Sequence, residues 1–308
     1  MDNPQETKII NDLKWLGGLF DAEGSVSFNY KPNIDIVNTC PKIIIKIKLI
    51  FDSIGIDFGI NEREKTSINS KKIRWDIFLR HEKQILIFLK YVKKYICGKK
   101  KQLDIIDNWY KQTNQKKDIS EKIRFVNQLN NIVIIPDKRK KLMEKLHTNN
   151  LYKYSDINIL DENDGKIEIY NDFDCLYYIA GLIDGDGCLN INVRKSQHNV
   201  NRYIPQILFI NTNKEIIKRY CSVLSNYEVG YYVNFRIAGK TTNRRRWDII
   251  TSGVRRSEKL CSLLSDIFVS KNEQCKILLD YCRYRLLHEK SKNDGIGFEC
   301  KMALQNLR

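Results

Sequence analysis

Apolar residues recur at helical spacing over residues 6–21, where Ile9, Ile10, Leu13, Leu16, Leu19 and Phe20 share one face. The period then drops to two at Ser25-Val26-Ser27-Phe28-Asn29-Tyr30, the signature of a half-buried strand. The same handover recurs where an apolar run ending at Ile183 gives way to Cys188-Leu189-Asn190-Ile191-Asn192-Val193. A first hairpin is predicted over about residues 24–39, with Pro32 near its turn. Thr39 or Cys40 then suits a cap and Pro41 the first turn of a helix over 42–54. Ile43-Ile44-Ile45 alone reads as strand, but Ile44, Ile47, Ile50, Phe51 and Ile54 fit a helix face. Strands follow near 57–64 and 71–80, then a helix over 82–96 and another from the Gly98-Lys99 corner to about 113. Later, Asn211-Thr212-Asn213-Lys214-Glu215 opens a helical run to Leu224.

The order repeats because the chain is duplicated. Trp75 and Trp247 stand 172 apart, as do Lys99 and Lys271, while Asn38 and Asn211 stand 173 apart. Glu23 and Asp186, the acids that close the two apolar runs, differ by only 163, so the first hairpin is about ten residues longer in the second copy. This sets four segments: a first half over 1–117, a helical insert and linker over 118–171, a second half over 172–290, and a tail over 291–308. The insert carries two short helix signals, at Ser120-Glu121 and Pro136-Asp137, ahead of a polar stretch over 148–172.

Charge narrows the partner. The 308 residues hold 53 Lys and Arg against 37 Asp and Glu, a formal net charge of +16 that points to a polyanion, with nucleic acid foremost. The basic side chains also have a pattern. Ile73, Trp75, Ile77 and Leu79 alternate with Lys72, Arg74 and Asp76, and Arg245, Trp247 and Ile249 with Arg244, Arg246 and Asp248. Each strand thus presents one face to a core and a charged face outward. Nine cysteines without a C-x-x-C pair argue against a zinc site and for reduced thiols in a reducing compartment. The polar opening residues predict no signal peptide, and no apolar run has the length of a membrane span. Richness in Asn, Ile and Lys suits an AT-rich genome, organellar (mitochondrion or chloroplast) or viral.

The two handovers share more than periodicity. Leu16-Gly17-Gly18-Leu19-Phe20-Asp21-Ala22-Glu23-Gly24 and Ile179-Ala180-Gly181-Leu182-Ile183-Asp184-Gly185-Asp186-Gly187 each end in two acids one residue apart and a glycine. The closing glycine reads as a helix stop in the left-handed conformation. Gly17 and Gly18 inside the first helix cost roughly 1 kcal/mol each relative to Ala. With Gly181 repeating the feature, they point to a close helix–helix seam. These stretches resemble the LAGLIDADG motif of homing endonucleases, of the two-motif single-chain type. The resemblance implies an α+β fold: two pseudo-symmetric αββαββα halves whose antiparallel sheets form a DNA-binding saddle.

The same resemblance implies a site. The last acid of each motif, Glu23 and Asp186, would bind metal at the scissile phosphates, beside the carbonyls of Ala22 and Gly185, while Asp21 and Asp184 would be structural and bond locally at the helix end. Carboxylates at helix C-termini suit a hard cation such as Mg²⁺, with Mn²⁺ a substitute. Lys99 and Lys271, each in a Lys-x-x-Gln pattern, match the basic residue that orients water or stabilises charge at the phosphate. Ser27, Asn29 and Lys31 in the first half, and Asn190, Asn192 and Arg194 in the second, match base-contacting positions. Lys72, Arg74, Arg236, Arg244 and Arg246 extend that surface. The implied activity is a Mg²⁺-dependent double-strand break by a monomer in a long non-palindromic DNA target, in the service of intron homing. Two alternatives use the same fold: an RNA maturase acting on intron RNA, and a DNA-binding regulator without catalysis. Intact acids and lysines argue against the regulator. No membrane partner is expected.

Overall fold

The structure is a computed structural model that describes residues 4–29, 31–64, 73–111, 175–195, 201–236, 246–288 and 295–307. The expectations for the insert and linker, and for Lys72, Arg244 and the tip of the longer hairpin, lie outside the described residues. The chain divides into two compact units. The first draws its described residues from 1–13 and 23–153, the second from 14–22 and 154–308. The first motif helix, α1 (Pro4–Glu23), therefore gives its middle turns to the second unit.

In the first unit a four-stranded antiparallel sheet runs in the order β1 (Gly24–Asn29), β2 (Lys31–Asn38), β4 (Ile73–Leu79), β3 (Gly59–Glu64). Ile34, Ile36, Ile77 and Leu79 point to one face and are buried, which is what the period of two required. Helix α2 (Pro41–Ser53) buries Ile43, Ile44, Ile47, Ile50 and Phe51, so helical spacing overrides the local run of isoleucines. Its N-cap residue Cys40 makes no side-chain cap; Asn38 Oδ1 instead accepts from Cys40 N at 2.8 Å. Helix α3 (Glu82–Tyr91) and a 3₁₀ turn (Lys93–Tyr95) lead to α4 (Lys100–Lys111). Trp109 of α4 meets Phe28 of β1 edge to face with centroids 4.8 Å apart, and Phe51 meets Phe88 at 6.3 Å.

The second unit repeats this plan. Helix α5 (Cys175–Asp186) runs straight into a sheet of order β5 (Gly187–Lys195), β6 (Asn201–Asn211), β8 (Arg246–Ser252), β7 (Tyr232–Arg236), again antiparallel throughout. The first hairpin is longer here, with strands of 9 and 11 residues against 6 and 8. Asn213 caps α6 (Lys214–Asn226), its Oδ1 accepting from Glu215 N at 2.9 Å and Ile216 N at 3.4 Å. Phe209 stacks on Tyr220 of that helix at 4.8 Å. Helices α7 (Val254–Leu264) and α8 (Asn272–Leu287) follow. The tail, for which no motif gave a role, forms α9 (Gly295–Asn306), which packs on β5 and α8 and buries Leu304. Gln274 Nε2 donates to Leu307 O at 3.2 Å, tying that tail to α8. Among the described residues no helix is long and apolar enough to cross a membrane. The mixed αββαββα order with two antiparallel sheets is the fold class that the duplicated pattern predicts.

Candidate nucleic-acid interface

Within the second unit, residues 14–22 of α1 lie against α5. A Cβ on Gly18 would sit 1.9 Å from Tyr178 O, and one on Gly181 would sit 2.0 Å from Trp15 O. Each glycine thus admits the other helix's backbone, and Gly18 is the counterpart of Gly181. The same two aromatic residues cross the seam through their side chains. Trp15 Nε1 donates to Asp184 Oδ2 at 2.9 Å, and Tyr178 Oη donates to Asp21 Oδ2 at 2.7 Å.

Those bonds correct the local role expected of Asp21 and Asp184. Asp184 is 3% exposed and also accepts from Val269 N at 2.9 Å, Ser270 N at 2.8 Å, Ser270 Oγ at 2.8 Å and Lys271 N at 3.0 Å. A buried carboxylate is costly unless donors surround it, and here backbone N–H groups from a distant loop do so. The result is a latch between the motif helix and the loop that carries Lys271. The closing glycine is also not a left-handed stop: among the described glycines only Gly55 and Gly253 have positive φ. At Gly187 a Cβ would meet Ile183 Cα and O at 2.6 Å, so close passage of the strand over the helix end excludes a side chain.

Glu23 is the last residue of α1 and Asp186 the last of α5, each followed at once by a strand. Glu23 is half-buried and accepts from Asn38 Nδ2 at 3.5 Å; Asp186 is exposed, and Ala22 and Gly185 precede them as half-buried residues. Lys99 and Lys271 also match: each gives its carbonyl to the first turn of the next helix, Lys99 O to Gln102 N and Leu103 N, Lys271 O to Cys275 N. Both are half-buried, whereas Lys100 begins α4 and is exposed. The Gln of the second Lys-x-x-Gln is turned to the tail, as described above.

Strand register decides which polar residues share a face, because residues directly opposite in an antiparallel pair project to the same side. In the first sheet Ser27 pairs with Asn33, Asn29 with Lys31, Val37 with Asp76, and Arg63 with Arg74. Ser27, Lys31 and Arg74 therefore stand on one face, opposite the core, and Asn29 takes the register position opposite Lys31. In the second sheet Asn190 pairs with Gln206, Asn192 with Ile204, Arg194 with Arg202, Ile210 with Asp248, and Arg236 with Arg246. Asn190, Asn192, Arg194, Arg236 and Arg246 likewise share one face.

These faces are not simply basic. Asp76 pairs with Arg63 Nε at 3.0 Å and Arg74 Nε at 2.6 Å, and Asp248 with Arg236 Nε at 2.5 Å and Arg246 Nε at 3.1 Å. Burial holds the Asp35 carboxyl above its ordinary value on the first face, against the lowering effect of Arg80, with Asp76 raising it further. Sequence reasoning missed Arg63 as a member of this surface; the signal was its place two residues beyond Asn61, matched by Asn234 and Arg236.

Residues 11–109 match the family model described as a LAGLIDADG-like domain. The solved structures extend the likeness to almost the whole chain. The LAGLIDADG meganuclease I-AabMI bound to uncleaved DNA superposes with a TM-score of 0.60 at 15% identity, over 96% of this chain and 98% of that one. I-SmaMI bound to an uncleaved DNA target in the presence of calcium ions gives 0.57 at 14% identity, over 96% and 97%. The I-LtrWI LAGLIDADG homing endonuclease bound to target DNA gives 0.56 at 14%, over 97% and 98%. No curated protein matches the chain. The chain thus contains a LAGLIDADG-like domain and has the fold of single-chain LAGLIDADG homing endonucleases.

Proposed function

We propose that this protein is a site-specific DNA endonuclease that acts as a monomer and makes a metal-dependent double-strand break in a long, non-palindromic target, for intron homing. The observation that carries this reading is the duplicated helix end. Glu23 and Asp186 each close a motif helix and hand directly to a strand whose next residues line a polar sheet face. Supporting it, similar structures of this fold are bound to DNA, cleaved in one case.

The donor set fits a hard divalent cation. A carboxylate with neighbouring carbonyls at a helix C-terminus suits Mg²⁺, which takes its remaining ligands from water and phosphate oxygens. Glu23 with Ala22, and Asp186 with Gly185, would hold it. When bound, such an ion lowers the pKa of a coordinated water and neutralises charge at the phosphate. Lys99 and Lys271 add a positive charge from the N-cap of α4 and α8, with Nζ donating toward the phosphate oxygens. Ser27, Asn29, Lys31 and Arg74 on one sheet, and Asn190, Asn192, Arg194, Arg236 and Arg246 on the other, bind and orient the duplex.

The test is a cleavage selection. A randomised duplex library is incubated with the protein and Mg²⁺, and the cut ends are sequenced. Glu23→Gln and Asp186→Asn should each abolish double-strand cleavage of the recovered site while leaving its affinity within about tenfold. Either variant cutting both strands at the parental rate removes the assignment.

A further inference from the structure

The two sheets share a side-chain arrangement that the motif does not include. Arg63 faces Arg74 directly across the β3–β4 pair, with Asn61 facing Asp76 two residues along. Arg236 faces Arg246 across β7–β8, with Asn234 facing Asp248. Each aspartate is buried, Asp76 at 7% and Asp248 at 2% exposure, while the outer arginines Arg63 and Arg236 keep side chains 63% and 59% exposed. In all four ion pairs Nε is the arginine nitrogen nearest the carboxylate; Arg74 Nε donates to Asp76 Oδ1 at 2.6 Å, while the buried Asp248 Oδ1 makes no hydrogen bond and meets Arg246 as an ion pair alone.

Like charges directly opposite on a strand pair repel, and a carboxylate between them offsets that repulsion. It does so at a cost, because the carboxylate must be desolvated and it cancels one positive charge on a surface meant for a polyanion. A neutral residue would carry neither cost. What the carboxylate adds is orientation. A guanidinium held at Nε has its plane fixed and presents the Nη1–Nη2 edge, and two parallel donors on a planar fork match the O6 and N7 acceptors of guanine or two phosphate oxygens. A flexible, unheld arginine neutralises phosphate equally well but discriminates bases poorly, so a held pair is the arrangement expected of base readers.

We propose that Asp76 and Asp248 are positioning residues. Each fixes a pair of arginines so that Arg63 with Arg74, and Arg236 with Arg246, discriminate base edges under their own sheet. This rests on the DNA-binding reading above. The charge change makes the two explanations diverge. Asp76→Asn or Asp248→Asn adds one net positive charge, so a carboxylate that only tempers the surface predicts tighter binding to every duplex. A positioning carboxylate predicts unchanged or tighter binding to an arbitrary duplex, together with a loss of discrimination of about tenfold or more.

The experiment selects bound duplexes from a randomised library with the wild-type protein. It then measures Kd for the recovered duplex and for a scrambled duplex of the same length. Asp76→Asn and Asp248→Asn should each lower the ratio of the two affinities, and relax the consensus at positions of one half-site only. Arg63→Lys and Arg236→Lys are the companion variants. They change exposed side chains and keep the charge but lose the planar fork, so they should reproduce the loss with an unchanged melting temperature, and wild-type discrimination in them overturns the proposal even if an aspartate variant fails to fold. Variants that keep the wild-type ratio and consensus overturn the proposal while leaving DNA binding intact. A wild-type protein that binds duplexes without any consensus does the same, and one that binds no duplex overturns both readings.

Discussion

Replacing Asp184 by Asn tests whether a motif acid acts as a latch on a loop more than 80 residues away. Its Oδ1 accepts from Ser270 N, Ser270 Oγ and Lys271 N, and its Oδ2 from Trp15 Nε1 and Val269 N, all at 2.8–3.0 Å. Four of these five partners are N–H groups that can only donate. An asparagine must therefore turn its own NH₂ toward one of these sets, losing at least two hydrogen bonds and setting donor against donor. Hydrogen bonds to a charged group contribute about 1.5–3 kcal/mol each, and a buried donor left unmade costs about 1–3 kcal/mol. With partial relaxation of a half-buried loop, a loss of about 3–5 kcal/mol in the stability of the second unit is expected. Urea unfolding followed by tryptophan fluorescence reads it, since Trp15 donates directly into the site. The freed loop carries Lys271, so cleavage of a selected site should fall further than affinity for it. Stability within about 1 kcal/mol of wild type together with an unchanged cleavage rate would refute the latch.

Two further outcomes follow from the geometry. Gly181→Ala places a methyl 2.0 Å from a backbone carbonyl of the facing helix, which no rotamer change relieves, so it should destabilise by about 3 kcal/mol or more, and Gly18→Ala likewise; melting curves matching wild type would show that the helices do not pass this closely. Asp35 titrates above its ordinary 3.8 in the folded protein. Between those two values the native state holds a proton that the unfolded chain has released, so the contribution of Asp35 to stability is full below 3.8 and is lost as pH rises through the native value. Asp35→Asn removes that loss, so its melting temperature should exceed wild type near neutrality and converge with it in acid; a difference independent of pH would contradict the burial of this carboxyl.

What the sequence determined by itself is local. The change from a 3.6-residue to a two-residue period located both helix-to-strand handovers, and placed Glu23 and Asp186 at the ends of their helices, because both periods are properties of consecutive residues. Alternation also sorted Ser27, Asn29, Lys31, Asn190, Asn192 and Arg194 onto outward faces, since a strand's two sides are fixed once its core residues are known. The duplication showed that Gly181 has a counterpart, and the spacing of Lys99 and Lys271 put each at the start of a helix. Tertiary structure decided what depends on distance along the chain. Whether Gly18 meets a backbone depends on where two helices cross. Asp184 looked like a helix-end residue because its partners at 269–271 are 85 to 87 positions away and are mostly backbone N–H groups, which carry no residue identity to read. Arg63 joined the sheet face only through strand register, where it takes the place that Arg236 was expected to hold in the second half. Pairing across β3–β4 and β7–β8 sets each arginine against its opposite and beside a buried aspartate, and no pattern within one strand specifies the alignment of two.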